Sequence, residues 1–151
     1  MSNKTKIIYK KGDVTKVKHN NTYILIHCCN NKGVYNAGVA RCIRNKWYGA
    51  YKTYMDFIEK NKGTDILGKV QLWNNPKNLN MYIGNCIAQD GYGRVKKQYV
   101  KYDALRSCLK KIKRGALYLK CDIIAPKLGS GLAGGDWNII EKIILFLRIA
   151  L

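Results

Sequence analysis

The run "TYILIHC" at residues 22–28 constrains the fold most, because it is apolar and rich in β-branched side chains with almost no interruption. A strand with one face in water alternates apolar and polar residues, whereas a continuous apolar run is typical of a strand buried on both faces. The chain has 151 residues, 47% of them apolar, which is enough to cover such a strand within one domain. We therefore expect a single domain over residues 1–151.

The other patterns predict strands and helices in the order of an α/β fold. We expect a sheet with helices on both of its faces. Further strands are predicted at residues 6–13, where a Gly-Asp turn closes the strand, at 69–73 and 81–88, and from residue 121 to near Pro126, where the strand runs into a glycine loop. Helices are predicted at residues 39–47 and 50–61, separated by Gly49, then at about 102–113, ending before Gly115, and at 137–147.

Two glycine-rich segments each follow a predicted strand and precede a helix: loop one, "NKGVYNAGVA" at residues 31–40, and loop two, "LGSGLAGGDW" at residues 128–137. Ligands of α/β sheets bind beyond the carboxyl ends of the strands, where both loops lie. Glycines let backbone N–H groups close around an anion, and a helix amino terminus adds partial positive charge. The pair therefore predicts a pyrophosphate site, although glycine is also used for turn geometry alone. Neither loop matches a Walker A or a Gly-x-Gly-x-x-Gly dinucleotide motif.

Composition narrows the class of ligand. The chain has 28 Lys and Arg against 9 Asp and Glu, a net charge of +19, which favours an anionic ligand or partner, or else a solvated basic surface. The six cysteines form no Cys-x-x-Cys pair and no zinc-ligand spacing with histidine, so we expect no metal and no cofactor. No signal peptide or membrane span is recognisable, and we expect a soluble cytoplasmic protein.

Three sets of side chains near the loops are candidates for chemistry. His27 ends the buried run, and its ordinary pKa of about 6.5 suits proton transfer, although it is alternatively a buried histidine bonded to backbone. Asp136 could orient His27 or activate water, or it could simply cap the last helix. Cys28 and Cys29 are poor nucleophile candidates, because no base other than His27 is evident.

Three segments in order, "GDVT" at residues 12–15, "HCCNNKGVYNAGVA" and "PKLGSGLAGGDW", resemble the macrodomain family of ADP-ribose-binding α/β modules. Together with "GNCIAQDG" and "KYDALRSCL", they are most similar to the branch of ADP-ribose 1″-phosphate phosphatase-like proteins common in phages. The resemblance implies a three-layer α/β/α sandwich with a mixed central sheet. Because Leu151 directly follows the last predicted helix, the usual last strand is expected to be missing, or that segment to pack differently.

The resemblance also implies ligand contacts. Asp13 would accept a hydrogen bond from the adenine amino group and the Val14 backbone would hold the ring, unless Asp13 is only a turn residue. Asn30 would meet the distal ribose near Gln89, unless it only caps the strand end; Tyr35 would stack on the ligand or be an exposed loop aromatic. The resemblance implies that the distal ribose and one phosphate contact Gly33, Val34, Tyr35, Ala37 and Gly38. It implies that the pyrophosphate contacts Gly129, Ser130, Gly131, Leu132, Ala133 and Gly134.

The chain departs from its relatives at three places. Asn36 stands where the family usually has glycine, so a positive φ is expected to be harder to adopt there. Ala133 replaces a catalytic aspartate of one glycohydrolase branch, and Trp73 with Asn74 stands where that branch has its lysine nucleophile. We therefore expect no lysine-adduct mechanism.

Two classes of function follow. The first is an enzyme, a phosphatase of ADP-ribose 1″-phosphate or a hydrolase that removes ADP-ribose from protein or nucleic acid, with His27 and Asp136 as the catalytic candidates. The second is a module that binds ADP-ribose or an NAD-derived signal without turnover. The high positive charge would attract ADP-ribosylated nucleic acid. A plain nucleic-acid binder is a weaker alternative, since no common recognition motif is present.

Overall fold

In the computed structural model, which describes residues 7–93 and 97–149, a mixed sheet lies at the centre. Its strand order is β2-β3-β1-β4; β1 runs parallel to β3 and β4, and β2 is antiparallel to β3. The strands and helices are β1 (Tyr23–Asn30), α1 (Gly38–Lys46), α2 (Tyr48–Lys60), β2 (Val70–Asn74), β3 (Met81–Gln89), α3 (Tyr102–Leu119), β4 (Asp122–Ile124) and α4 (Trp137–Phe146), with a 3-10 turn at Val14–Lys16. The α/β order with a mixed sheet is confirmed.

β1 is buried on both faces, as the apolar run predicts. Ile24 and Ile26 are fully buried in a core that they share with α3 and α4, whereas Leu25 lies in a second core with α1 and α2. Successive side chains of a strand point to opposite faces, so these two cores are the two interlayer spaces of a sandwich. The predicted three-layer arrangement is confirmed.

Three predicted boundaries are wrong. The described residues 7–13 form no strand; Gly12 has a φ of +145° and Asp13 caps the 3-10 turn, which turns the chain away from extended pairing. Gly49 lies inside α2 rather than before it, because the break falls at Trp47. α3 continues through Gly115 to Leu119, and Lys120, which adopts the left-handed conformation, caps its end.

The last part of the chain bears on the expected missing strand. Within the described residues, which stop at Ile149, no strand follows α4. In the same part of the chain, none of the helices combines the length and the apolar character needed to cross a membrane.

Candidate functional site

The carboxyl ends of β1, β3 and β4 open into a cleft of about 660 Å³, within the usual range for small-molecule sites. Loop one and the start of α1 line one wall, and loop two lines the other. The two loops follow adjacent parallel strands, so the sheet brings them to the same edge. The prediction that both loops share one site edge is confirmed.

The walls of the cleft carry backbone N–H groups with no acceptor among the described residues. The first hydrogen bond of α1 runs from Arg41 N to Ala37 O, and Ala37 offers no side-chain cap. In loop two, Ser130 N donates to Lys127 O, and the next N–H with an acceptor is that of Gly134, which donates to Gly131 O. Among the lining N–H groups without an acceptor are those of Gly38, Val39 and Ala40 on one side and of Gly131, Leu132 and Ala133 on the other. Two such rows across one cleft suit an anion.

Loop one is held from below by Asn30, at the end of β1. Its Oδ1 accepts hydrogen bonds from Lys32 N at 2.9 Å, Val34 N at 3.3 Å and the Tyr54 hydroxyl at 3.0 Å, while its Nδ2 donates to Val34 O. Gly33 N, in turn, lies 3.1 Å from the Tyr54 hydroxyl. The side chain of Asn30 is therefore committed to the loop itself, and its contact with a ribose stays a prediction.

Tyr35 turns inward and belongs to a buried polar cluster with His27 and Asn85. It is 2% exposed, so the alternative of an exposed loop aromatic is wrong. The Tyr35 hydroxyl lies 2.8 Å from both His27 Nε2 and Asn85 Oδ1, and His27 Nε2 lies 2.7 Å from Asn85 Oδ1. Asn85 Nδ2 donates to Ala50 O at 3.1 Å.

The hydrogen-bond partners in this cluster indicate which ring nitrogen of His27 carries the proton. Because Asn85 Nδ2 donates to Ala50 O, its Oδ1 is an acceptor with two lone pairs. His27 Nε2–H and the Tyr35 hydroxyl can both donate to it, which leaves His27 Nδ1 as an acceptor facing Cys29 Sγ at 3.8 Å. A second proton on His27 would find no strong acceptor there, so the neutral ring fits the cluster.

Burial reinforces the neutral form of His27. Desolvation lowers its pKa to about 4, although its hydrogen bond with Asn85 partly opposes this shift. The side chain is 2% exposed, so its environment differs from that of a free imidazole, whose pKa is about 6.5. Burial also raises the pKa of the Cys28 and Cys29 thiols, which makes thiolate chemistry unfavourable at both.

Asn36 does not strain the backbone. Among the described residues, only Lys120 and Arg148 combine a positive φ with a side chain, so the backbone of Asn36 keeps a negative φ. Its side chain is exposed and lines the cleft. The loop therefore accommodates asparagine without the left-handed conformation that a glycine would allow.

Loop two is held by close backbone contacts. Gly134 has a φ of +73°, and a Cβ there would lie 2.3 Å from Lys97 O; a Cβ on Gly135 would lie 2.5 Å from Gly129 O. The Ala133 carbonyl accepts hydrogen bonds from Tyr99 N at 2.7 Å and from Val100 N at 3.1 Å. The loop thus lies directly on the segment that leads into α3.

Asp136 caps α4. Its carboxylate accepts a hydrogen bond from Asn138 N at 2.9 Å, and its own N–H donates to the Tyr102 hydroxyl at 3.0 Å. The prediction that Asp136 orients His27 is wrong, because Tyr35, Asn85 and Cys29 surround that ring instead. The alternative of a helix cap is confirmed.

Asp13 and Val14 lie outside the cleft lining. Asp13 Oδ1 accepts from Thr15 N at 2.8 Å and from Thr15 Oγ1 at 2.6 Å, and these bonds lower the pKa of the carboxyl. Within the described residues, Asp13 Oδ2 and Val14 N have no hydrogen-bond partner. An acceptor beside a donor suits the amino edge of adenine, and that role stays a prediction.

The fold gathers most of the predicted site residues around the cleft. Asn85 and Tyr54, which hold loop one, were missed, although a polar Asn85 inside the apolar "MYIGNCIA" run is a recognisable signal. Predicted residues that line the cleft are His27, Asn30, Val34, Tyr35, Ala37, Gly38, Gln89, Gly129, Gly131, Leu132 and Ala133. Predicted residues that do not are Asp13, Val14, Gly33, Ser130, Gly134 and Asp136.

Comparison with known proteins adds a family. Residues 26–144 match the model of the Macro domain family. An ADP-ribose 1″-phosphate phosphatase of Lodderomyces elongisporus is 26% identical over 129 residues, covering 80% of this chain and 78% of that one.

Two solved structures share the fold over nearly the whole chain. A protein of unknown function from Bacteroides thetaiotaomicron is 31% identical, with a TM-score of 0.87 over 98% of this chain and 96% of its own. A macrodomain protein from Streptomyces coelicolor is 25% identical, with a TM-score of 0.78 over 96% of this chain and 95% of its own. With its match to the family model and its cleft between two glycine loops, the chain belongs to the Macro domain family.

Proposed function

We propose that the cleft binds ADP-ribose and that the protein hydrolyses the phosphate of ADP-ribose 1″-phosphate or a related ADP-ribosyl ester. The observation that carries this proposal is the pair of N–H rows, on loop two and at the start of α1, whose residues line one cleft and whose N–H groups have no acceptor among the described residues. Oriented N–H groups stabilise phosphate oxygens without a cation. Family membership and a relative named ADP-ribose 1″-phosphate phosphatase support the same ligand.

In this proposal the diphosphate lies between the two loops. Adenine lies toward Asp13 and Val14, and the distal ribose lies toward Asn30 and Gln89, which end β1 and β3. The backbone donors would also stabilise the charge that develops on a phosphate under attack by water.

The contacts of His27 favour a positioning role over proton transfer. Its ring is buried, which lowers its pKa, and it is bonded to Tyr35 and Asn85; Tyr35 belongs to loop one. We propose that His27 shapes that wall of the cleft through Tyr35. A catalytic role for Asp136 stays a prediction, since its carboxylate is occupied as a helix cap.

A non-catalytic binder is the second candidate, and one observation favours it. Among the described residues that line the cleft there is no Asp or Glu, and the one histidine is buried. Such a cleft holds a ligand without an evident general base. Release of ADP-ribose from protein or nucleic acid, like the narrower placement in a phage branch, stays a prediction.

Calorimetry with ADP-ribose tests both candidates in wild type and in two variants of Leu132, a cleft residue that is 55% exposed. Leu132→Glu places a carboxylate beside the N–H row of loop two and should weaken binding at least about tenfold, by repulsion of the diphosphate. Leu132→Gln, of the same size and uncharged, is the matched control and should bind nearly as wild type. A silent titration with wild type would remove both candidates.

Phosphate release from ADP-ribose 1″-phosphate then separates enzyme from binder. The phosphatase is supported if wild type releases phosphate faster than the uncatalysed rate, Leu132→Glu abolishes this release, and Leu132→Gln retains it. ADP-ribose binding without release supports the binder.

A further inference from the structure

Charge is unevenly distributed between the protein surface and the cleft. The chain has 28 Lys and Arg, yet Lys127 is the only one of them among the described lining residues. The other ionisable side chains of the lining are His27, Cys28, Cys29 and tyrosines; the burial of the first three opposes their charged forms. Lys127 is therefore the one formal charge that a ligand meets in this lining.

The surroundings of Lys127 hold its backbone but leave its charge uncompensated. Its carbonyl accepts hydrogen bonds from Ser130 Oγ at 3.0 Å and Ser130 N at 3.5 Å. Its ammonium lies 5.9 Å from the centroid of the Trp137 ring, close enough for a cation–π contact. No carboxylate of the described residues forms an ion pair with it.

The diphosphate of ADP-ribose does not need this lysine, because the two N–H rows already face it in the proposed function. The unpaired ammonium of a residue that lines the same cleft is suited to one more anionic group on the ligand. We propose, on the basis of that function, that Lys127 gives the cleft a preference for ADP-ribose that carries an additional phosphate monoester.

The phosphate could stand on either ribose. One position is the adenosine ribose. A phosphate on the distal ribose has the same chemistry, and the ligands of the test distinguish the two positions.

The test measures affinity for ADP-ribose, ADP-ribose 2′-phosphate and ADP-ribose 1″-phosphate at constant ionic strength. For a ligand that the protein hydrolyses, KM takes the place of the dissociation constant. The variants are Lys127→Met, Lys127→Arg and the control Lys97→Met. Lys97 is also exposed and lies 5.6 Å from the ring centroid of Tyr99, but it is not a lining residue. Because Lys127 is exposed and, within the part of the chain that the structure describes, forms hydrogen bonds only through its main chain, these variants should fold.

We expect wild type to prefer at least one phosphorylated ligand over ADP-ribose by about fivefold. Lys127→Met should lose this preference, whereas Lys127→Arg and Lys97→Met should retain it. Equal weakening of all three ligands by Lys127→Met, or no weakening, would overturn the proposal. If ADP-ribose fails to bind but a phosphorylated ligand binds and Lys127→Met weakens that binding, the Lys127 inference stands and binding of plain ADP-ribose is overturned. If no ligand binds, the proposed function and the Lys127 inference both fail.

Discussion

Loop one and loop two present the same kind of surface to the cleft but are held in opposite ways. Loop one is anchored by polar side chains beneath it, chiefly Asn30, Tyr54 and the cluster around Asn85. Loop two has almost no side-chain anchors; its glycines allow backbone to pack on backbone, at Gly134 and Gly135. One wall thus depends on hydrogen-bonding groups that are present, and the other on Cβ atoms that are absent.

The largest expected effect breaks loop one. Asn85→Ala removes a fully buried amide, so the Tyr35 hydroxyl, His27 Nε2 and Ala50 O each lose their hydrogen bond to it. The loss of these buried hydrogen bonds should lower the free energy of unfolding by about 4 kcal/mol. Urea denaturation measures this loss; a loss below about 1 kcal/mol would show that loop one does not depend on the cluster.

The next effect breaks loop two. Gly134→Ala forces a Cβ against Lys97 O and strains a positive φ, and should cost about 3 kcal/mol. Gly131→Ala is the matched control, because a Cβ there meets no atom within 4 Å. Thermal unfolding of the two variants compares them directly. Equal stability of the two would contradict the account of loop two.

A pH effect distinguishes the loops further, since only loop one contacts a titratable buried ring. Burial lowers the folded-state pKa of His27 to about 4, below its unfolded value of about 6.5. The unfolded chain therefore binds the proton first, so this contribution to stability is complete above about pH 6.5 and is lost as the pH falls toward 4. Between pH 7 and pH 5 the loss should reach about 2 kcal/mol.

Denaturation of wild type and His27→Gln across this range isolates the effect as a difference, because His19 remains in both proteins. The His27 ring resonances in an NMR titration provide a second readout that needs no variant. They should not titrate above pH 5, and a midpoint near 6.5 would contradict the buried neutral ring.

The smallest effect concerns the end of loop two. Asp136→Ala removes the cap of α4 and should cost about 1 kcal/mol. Asp136→Asn should recover most of this loss, because asparagine is also a good cap. If the protein proves to be a phosphatase, a large fall in the kcat of folded Asp136→Asn, with KM unchanged, would instead assign Asp136 to catalysis.

The pattern of apolar residues and glycines was enough to predict the α/β order, the burial of β1 on both faces and the shared edge of the two loops. These features depend on local periodicity and on the chirality of parallel connections, both of which are recorded along the chain. The wrong boundaries were predicted from local sequence signals, and tertiary packing overrode those signals. Gly49 is required by the close approach of Trp73 rather than by a helix break, and the helix through Gly115 is held by the core residues on either side of it.

The sequence by itself determined that His27, Tyr35 and the glycines would stand at the carboxyl edge of the sheet. Only the tertiary structure decided what they do there, because roles depend on neighbours far apart in the chain. Asn85, 58 residues after His27, holds that histidine by a buried hydrogen bond. Lys97, 37 residues before Gly134, explains why that position has no room for a Cβ. Burial and hydrogen bonding act through space, whereas a motif records only order along the chain.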